Sequence, residues 1–313
     1  MKNPSLRETT WGDLVKVKQG KYVAPSELSS DRIPKSPIPT VGANGVLGFV
    51  ATSSYGYRVP LITCRGSNCG LIQYPTEPVW VSNNAMGLDA GSQEDNDFIY
   101  YLALATDFSD IVTGSAQPQI TAGPLKTKRV SVPDHTHWAG IAATLGALDD
   151  KIESNRKAVH LAEQLGDQVF AANSTETVVL AEISNLTMGS SPPGESYNEL
   201  GEGMPFYQGI RDFGRRFPGH RVWTTRVIRR AKDNDTLVSV RAPVGRLNRS
   251  REVCCIGRGV AAVSSNSPST AFYALRAADA VWEPFQHEGT VFGAINKADL
   301  SNAKLHSLTV RPG

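Results

Sequence analysis

Short runs of hydrophobic and polar residues alternate along most of this chain, each closed by glycine, proline, asparagine or serine. VPLITC at Val59, PVWVS at Pro78 and DTLVSV at Asp235 have the length and β-branched content of strands. The apolar segment FIYYLALAT at Phe98 is instead typical of a buried helix. The pattern predicts an α/β fold of the mixed α+β kind, built from curved mixed sheets.

The same series of segments occurs twice in the chain. GSAQPQITAGPLKTKRVSVP, which starts at Gly114, aligns without a gap with GTVFGAINKADLSNAKLHSL, which starts at Gly289. Arg65 and Arg241 occupy equivalent places in another matched pair of segments. Further matches in the same order pair IPTVGANGVLGF with MPFYQGIRDFG, FIYYLAL with AFYALRA, and WGDLVKVKQG with LAEISNLTMG. A repeat this long is too large for a solenoid unit and indicates a duplicated domain.

A different pattern separates the two copies. Residues 134–172 contain no proline and carry a heptad stripe of Leu145, Leu148, Ile152 and Val159, with Asn155 also on it. The stripe predicts a helix of about 55 Å at 1.5 Å per residue. A helix with one apolar stripe needs a partner, and no other segment has a matching pattern. We therefore predict two tandem domains, 1–133 and 173–313, joined by a long coiled-coil-type helix over 134–172.

Composition is that of an ordinary globular chain. The hydrophobic fraction is 40%, the net charge is +2, and 313 residues suit two domains. No apolar run has the length of a membrane span or signal peptide, so we expect a cytoplasmic protein. Cys64, Cys69, Cys254 and Cys255 lack a zinc-site spacing, which favours reduced, buried thiols. The pair His135 and His137 lacks a third ligand nearby, so we predict no metal site.

The strongest charge signal is local. Pro205–Val260 holds 12 arginines and one lysine against four acidic residues. A concentration of arginine on one segment indicates an anionic partner such as nucleic acid.

These segments resemble the DNA specificity subunit of Type I restriction–modification systems over essentially the whole chain. The resemblance is carried by GSAQPQITAGPLKTKRVSVP, by GSSPPGESYNELGEGMPFYQGI at Gly189, and most specifically by LGALDDKIESNRK from Leu145 to Lys157. It implies two target recognition domains, each reading one half of a split double-stranded DNA site. It also implies two long helices that dock two copies of a DNA adenine methyltransferase subunit, which a restriction (translocase/nuclease) subunit can join. S-adenosylmethionine and ATP with Mg would then be bound by the partner subunits, with no cofactor in this chain.

The chain departs from this pattern in one respect. The second long helix, which the resemblance places after Val310, has no counterpart in the sequence. We therefore expect the partner of the Leu145–Val159 stripe to come from another chain or from a segment absent here.

Candidate DNA-binding residues are those that contact phosphates or base edges. Arginine pairs well with guanine, and asparagine or glutamine with adenine. In the first copy the candidates are Asn44, Tyr55, Arg58, Arg65, Ser67, Asn68, Asn83, Asn84 and Gln117. In the second copy they are Gln208, Arg211, Arg215, Arg216, Arg241 and Arg246, with QGIRDFGRRFPGHR as the best loop. The alternatives are simple turn chemistry for the asparagines and a solvated basic surface for the arginines.

No motif predicts catalysis, so we expect a non-catalytic subunit. SPPGES at Ser191 has two prolines, but Gly194 stands where the catalytic turn of DNA aminomethyltransferases has an aromatic residue. VGANGVLG at Val41 lacks the strand–turn–helix context of a nucleotide site, and no P-loop is present. Two alternatives remain open: a tandem β-rich module that binds protein or glycan without a DNA role, and a solitary regulator or enzyme without methyltransferase partners. The arginine cluster argues against the first, and the heptad stripe against the second.

Overall fold

The computed structural model describes residues 6–285 and 293–308. The chain divides into two compact units, Met1–Asn155 (unit 1) and Arg156–Gly313 (unit 2). Two sequence predictions lie outside the described residues: the start of the second repeat at Gly289, and the expected position of a second long helix after Val310.

Unit 1 has short strands and helices in the order that the sequence pattern predicts. They are β1 Arg7–Thr10, α1 Trp11–Leu14, β2 Lys16–Gln19, β3 Ile38–Gly42, β4 Gly45–Val50, β5 Leu61–Thr63, β6 Ile72–Gln73, β7 Trp80–Val81, β8 Ala85–Asp89, α2 Gln93–Leu104, α3 Ala122–Thr127 and β9 Arg129–Val132. The long helix α4, Trp138–Asn173, follows and continues into unit 2.

Unit 2 repeats this order with two additional short strands and one additional short helix. Its elements are β10 Ser174–Val179, α5 Leu180–Ile183, β11 Asn185–Met188, β12 Tyr197–Asn198, β13 Met204–Tyr207, β14 Trp223–Thr224, β15 Arg230–Ala231, β16 Thr236–Ser239, β17 Leu247–Arg249, β18 Cys254–Ile256, β19 Val260–Ser264, α6 Pro268–Arg276, α7 Asp279–Trp282, α8 Lys297–Ser301 and β20 Lys304–Leu308.

The sheets of the two units share a core topology, although the mixed sheet has three strands in unit 1 (β4-β3-β7) and five in unit 2 (β12-β14-β13-β18-β15). An antiparallel four-stranded sheet has the order β2-β8-β5-β6 in unit 1 and β11-β19-β16-β17 in unit 2. A second, mixed sheet contains the parallel pair β3–β7 in unit 1 and the parallel pair β13–β18 in unit 2. The first and last strands of each unit close it as the antiparallel pairs β1–β9 and β10–β20. The described residues thus show the duplication that the sequence predicts.

Each core is organised around the short helix that follows the first strand. Trp11 of α1 is fully buried, and its backbone N–H donates to the carbonyl of Lys128 at 3.0 Å. In unit 2, Leu180 is fully buried and donates to the carbonyl of Ala303 at 2.9 Å. Complete burial of such side chains stabilises a domain by about 1.5–3 kcal/mol each. The equivalent anchors explain how two dissimilar sequences keep one framework.

Helix α4 contributes one part to each unit. In unit 1, Trp138 stacks on Phe98 of α2 with ring centroids 4.4 Å apart. In unit 2, Phe170 lies in the core, and Arg276 of α6 donates to Asp167 at 2.8 Å. The helix starts at Trp138, after a 3₁₀ turn at His135–His137, rather than at residue 134 as the sequence suggested. That turn arises because the Asp134 carboxylate accepts from the Thr136 N–H at 3.2 Å.

The predicted heptad stripe is only partly covered. Leu145 is half-buried, whereas Leu148, Ile152 and Val159 are 56%, 47% and 45% exposed. Over the described residues, no helix combines the length and apolarity that crossing a bilayer requires.

Candidate nucleic-acid interface

Loops of unit 1 meet near the ends of strands β3, β5 and β7. Arg65 pairs with Gln119 as an isolated bridge, and the Gly66 N–H donates to the Pro118 carbonyl at 3.0 Å. Asn68 Nδ2 donates to Asn44 Oδ1 at 2.8 Å, which ties the β5–β6 loop to the β3–β4 turn. These contacts hold several sequence candidates in one surface, the unit 1 cluster. The Cys64 N–H donates to the Asn84 carbonyl at 2.9 Å, which connects Asn83 and Asn84 to the segment that leads into Arg65. The members of the cluster are Asn44, Arg65, Ser67, Asn68, Asn83, Asn84 and Gln117.

Arg58 and Tyr55 do not share the contacts of this cluster. Arg58 forms an ion pair with Asp97 of α2 at 3.1 Å, and its guanidinium lies 4.7 Å from the centre of the Tyr74 ring. Tyr55 packs against β8, where its hydroxyl lies 2.3 Å from the position of a Cβ on Gly87. Burial raises the pKa of Tyr55 to about 12, so this hydroxyl stays neutral at ordinary pH. These contacts give both side chains structural roles, and DNA contact for them stays a prediction.

The hairpin loop between β16 and β17 of unit 2 repeats the β5–β6 loop of unit 1. Ser239 N–H donates to the Arg246 carbonyl at 2.9 Å, as Thr63 N–H does to the Leu71 carbonyl at 2.8 Å. Arg241 pairs with Ala294, just as Arg65 pairs with Gln119. Both Arg241 and Arg246 are exposed.

Gln208 and Arg211 lie beside this loop system, at the end of β13. The Gln208 carbonyl accepts from Gly259 N–H at 3.1 Å, which places it against the β18–β19 turn. Its own N–H donates to Asp212 Oδ2 at 2.6 Å, so the buried carboxylate of Asp212 shapes this loop. Gln208 and Arg211 are exposed. Together with Arg241 and Arg246 they form the unit 2 cluster.

Arg215 and Arg216, which the sequence places in the same loop, are held by helix α4. Arg215 is 3.1 Å and Arg216 is 4.0 Å from the carboxylate of Glu163, whose side chain is 11% exposed. The Arg216 guanidinium also lies 4.7 Å from the centre of the Phe272 ring. Arg251 packs similarly over Phe217, at 3.8 Å. The structure therefore ties part of the best candidate loop to the helix, and DNA contact for Arg215 and Arg216 stays a prediction.

The sequence candidates omit Arg258, in the turn between β18 and β19. Arg258 is exposed and directly follows Gly257, whose N–H donates to the Tyr207 carbonyl at 2.8 Å. The repeat in the sequence could have identified Arg258 as a candidate. The offset that aligns Gly114 with Gly289 also places Arg258 opposite Asn83.

Most arginines of unit 2 are uncompensated. Within residues 156–285 and 293–308, ten have no carboxylate partner. Arg249 donates to Ser269 and Arg251 packs over Phe217, and the other eight are Arg156, Arg211, Arg226, Arg229, Arg230, Arg241, Arg246 and Arg258. Arginines that are free of carboxylates keep all their donors available, which suits binding to phosphates and guanine edges.

Comparison with known proteins shows what parts of this chain resemble. Residues 9–160 match the Type I restriction modification DNA specificity domain. A putative Type I restriction enzyme MjaX specificity subunit from Methanocaldococcus jannaschii is 41% identical over 124 residues, which cover 38% of this chain and 29% of that protein. The EcoprrI specificity subunit from Escherichia coli is 23% identical over 143 residues, which cover 46% of this chain and 36% of that protein. The matched segments thus span less than half the length of either relative.

A solved structure shows that the likeness of the fold extends further. The crystal structure of a Type I restriction–modification S subunit from M. genitalium has a TM-score of 0.72 and 14% identity, and the match covers 98% of this chain and 86% of that one. At this identity the match establishes the fold alone, which in this chain consists of two units and the long helix α4. Over residues 9–160 this chain is therefore similar to the DNA specificity domain of Type I restriction–modification systems, and over nearly its whole length it has the fold of a solved S subunit.

Proposed function

We propose that this chain selects a split, asymmetric double-stranded DNA site, with unit 1 reading one half and unit 2 the other. The observation that carries the proposal is a shared backbone framework with different side chains at equivalent positions, where unit 2 has a polar side chain and unit 1 does not. Leu71 of unit 1 corresponds to Arg246 of unit 2 through matching loop hydrogen bonds. Gly42, the last residue of β3, corresponds to Gln208, which follows β13. One framework with two sets of side chains suits recognition of two unlike half-sites.

The chemistry of the two clusters differs in the way that this proposal requires. The unit 1 cluster is rich in asparagine, which suits the donor and acceptor pair on adenine. The unit 2 cluster is rich in arginine, which suits guanine and the phosphate backbone. We infer that unit 2 supplies the larger electrostatic part of the affinity.

The partner subunits belong to the same proposal. We infer that the exposed stripe of Leu148, Ile152 and Val159 on α4 takes part in an assembly with two DNA adenine methyltransferase subunits. The restriction subunit would join that assembly. This chain would contribute no catalytic group, and S-adenosylmethionine and ATP with Mg would be bound by the partners. The support is the match of residues 9–160 to the Type I restriction modification DNA specificity domain, together with the exposed apolar stripe.

The test is selection from a library of randomised DNA duplexes. The full chain, alone and in complex with a methyltransferase subunit of a Type I system, is incubated with the library, and bound duplexes are sequenced. We expect a motif of two unlike halves separated by a fixed gap. Binding should weaken steeply as salt rises, with a logarithmic slope of about −0.9 for each phosphate contacted.

Other outcomes would contradict the proposal. A flat salt response without an enriched motif would favour a protein- or glycan-binding module. A continuous or palindromic motif would contradict the assignment of one unlike half-site to each unit.

A further inference from the structure

The turns that precede β8 and β19 are the same structure built from different residues. In unit 1, Gly20 N–H donates to the Ala85 carbonyl at 3.0 Å and Lys21 N–H to the Val81 carbonyl at 2.9 Å. In unit 2, Gly189 N–H donates to the Val260 carbonyl and Ser190 N–H to the Ile256 carbonyl, both at 2.9 Å. These bonds align residues 81–85 with residues 256–260.

Three more equivalent hydrogen bonds fix each turn to its neighbours. Those of unit 1 join Ser82 N–H to the Val41 carbonyl, Ala85 N–H to the Ser82 carbonyl, and Cys64 N–H to the Asn84 carbonyl, at 2.9, 3.1 and 2.9 Å. Those of unit 2 join Gly257 N–H to the Tyr207 carbonyl, Val260 N–H to the Gly257 carbonyl, and Val240 N–H to the Gly259 carbonyl, at 2.8, 3.0 and 3.0 Å. With five shared backbone bonds, Asn83 and Arg258 occupy the same position in the two turns.

The side chains of Asn83 and Arg258 are not used in contacts that hold the described part of the protein together. Within the described residues, neither the Asn83 amide nor the Arg258 guanidinium has a hydrogen-bond partner. Arg258 is exposed, and Gly257 and Gly259 flank it, so no neighbouring side chain in the turn shields it. Asn83 is half-buried, and its carbonyl rather than its amide accepts from Gln19 Nε2 at 2.7 Å.

Both positions also adjoin the clusters already described. The Asn84 carbonyl binds the segment that leads into Arg65, and Gly259 binds the carbonyl of Gln208. A rigid turn that presents a free planar side chain at its centre, beside other exposed polar groups, has the features of a base-reading position, because base contacts need a fixed donor geometry.

We propose that the turns Ser82–Asn84 and Gly257–Gly259 are equivalent reading turns, in which Asn83 specifies an adenine in one half-site and Arg258 a guanine in the other. This inference rests on the proposed function and adds the residue that sets one base in each half. Asparagine offers a donor and an acceptor to adenine N7 and N6, and arginine offers two donors to guanine O6 and N7. The same turn therefore reads different bases because a different planar side chain, Asn83 or Arg258, stands at its centre.

The experiment compares the selected DNA motif of the wild-type chain with those of Asn83→Ala and Arg258→Gln, using the duplex library and complex described above. Arg258→Gln should lose the preference for guanine at one position of one half-site by about 5- to 150-fold. Asn83→Ala should lose an adenine preference by a similar factor in the other half-site. Each variant should leave the half-site of the other unit unchanged.

Arg226→Gln serves as the control with matched charge, because Arg226 is also exposed in unit 2 and has no carboxylate partner among the described residues. It should lower affinity without changing any base preference. If Arg258→Gln behaves like Arg226→Gln, Arg258 contacts phosphate alone and the inference is wrong. An unchanged motif for Asn83→Ala likewise overturns its assignment. If the wild-type chain yields no split motif, it is the proposed function that fails.

Discussion

The carbonyl oxygen of Ser82 lies 2.0 Å from the point where a Cβ on Gly20 would stand, a distance that no side chain can occupy. Unit 2 repeats this close approach, with the Gly257 carbonyl oxygen 2.1 Å from the same point on Gly189. In each unit the glycine lets the end of one strand touch the backbone of the turn that carries Asn83 or Arg258. The close contact between strand end and turn leaves no room for a side chain, and both units have glycine at this position.

Replacing either glycine should move the turn. Gly20→Ala and Gly189→Ala should each cost about 1–3 kcal/mol of unfolding free energy, because a Cβ would displace backbone rather than a flexible side chain. Urea unfolding, followed by hydrogen exchange in peptides of the affected unit, measures the loss. Gly56→Ala and Gly194→Ala are the controls, since a Cβ at either position meets nothing within 4 Å. Equal stability of all four variants would contradict the close approach.

The carboxylate of Glu163, on helix α4, forms ion pairs with Arg215 and Arg216, and these pairs should stabilise unit 2. Glu163→Gln should destabilise unit 2 by about 1–2 kcal/mol, because it leaves two guanidinium groups without a counter-charge in a half-buried site. Urea unfolding measures the change. Asp167→Asn is the matched control: its pair with Arg276 is about 40% exposed on both sides and should contribute less than about 1 kcal/mol. Equal losses of unfolding free energy in the two variants would show that burial of Glu163 does not strengthen its ion pairs.

The cysteines should react with alkylating reagents in an order set by burial. Burial raises the pKa of Cys254 to about 11, and burial also raises the pKa of Cys255, so both thiols stay protonated and unreactive near neutral pH. Cys69 is half-buried and should be modified first in the native chain, although burial raises its pKa as well. Timed iodoacetamide labelling with peptide mass spectrometry checks the order. Raising the pH towards 9 should speed labelling of Cys69 far more than that of Cys254. Early labelling of Cys254 would contradict the buried β18 strand.

The exposed stripe of helix α4 should matter for assembly rather than for folding. Leu148→Glu and Ile152→Glu place charge on side chains that are 56% and 47% exposed, so we expect stability to change by less than about 0.5 kcal/mol. Because a charge on an apolar helix seam opposes packing, co-purification with the methyltransferase subunit should be lost. Gln164→Glu, at an exposed position off the stripe, is the control that should keep the partner. Retention of the partner by the stripe variants would remove this surface from the assembly.

The sequence by itself determined the duplication, the order of the elements and the long helix. Apolar runs and turn residues alternate locally, so the sequence alone indicates where short strands and helices form. The matches between the two copies are individually weak, but several of them in the same order support one another. Even the equivalence of Arg65 and Arg241, first inferred from matched segments, reappears in the structure as bridges to Gln119 and Ala294. The heptad spacing also placed α4 within a few residues of its observed ends.

Only the tertiary structure decided which polar side chains are free. Arg215, Arg216 and Arg258 look alike in the sequence, but Glu163, from a helix some fifty residues earlier, holds the first two. Arg58 likewise lies in a turn-rich segment yet pairs with Asp97 of α2. A charge is available to a ligand only when no counter-charge lies within reach, and that depends on distances between segments that are far apart along the chain. The guanidinium of Arg258 is left free because its turn is held through backbone groups, among them the Arg258 N–H that donates to Ser191 Oγ at 3.3 Å, and these bonds use none of the donors of its side chain.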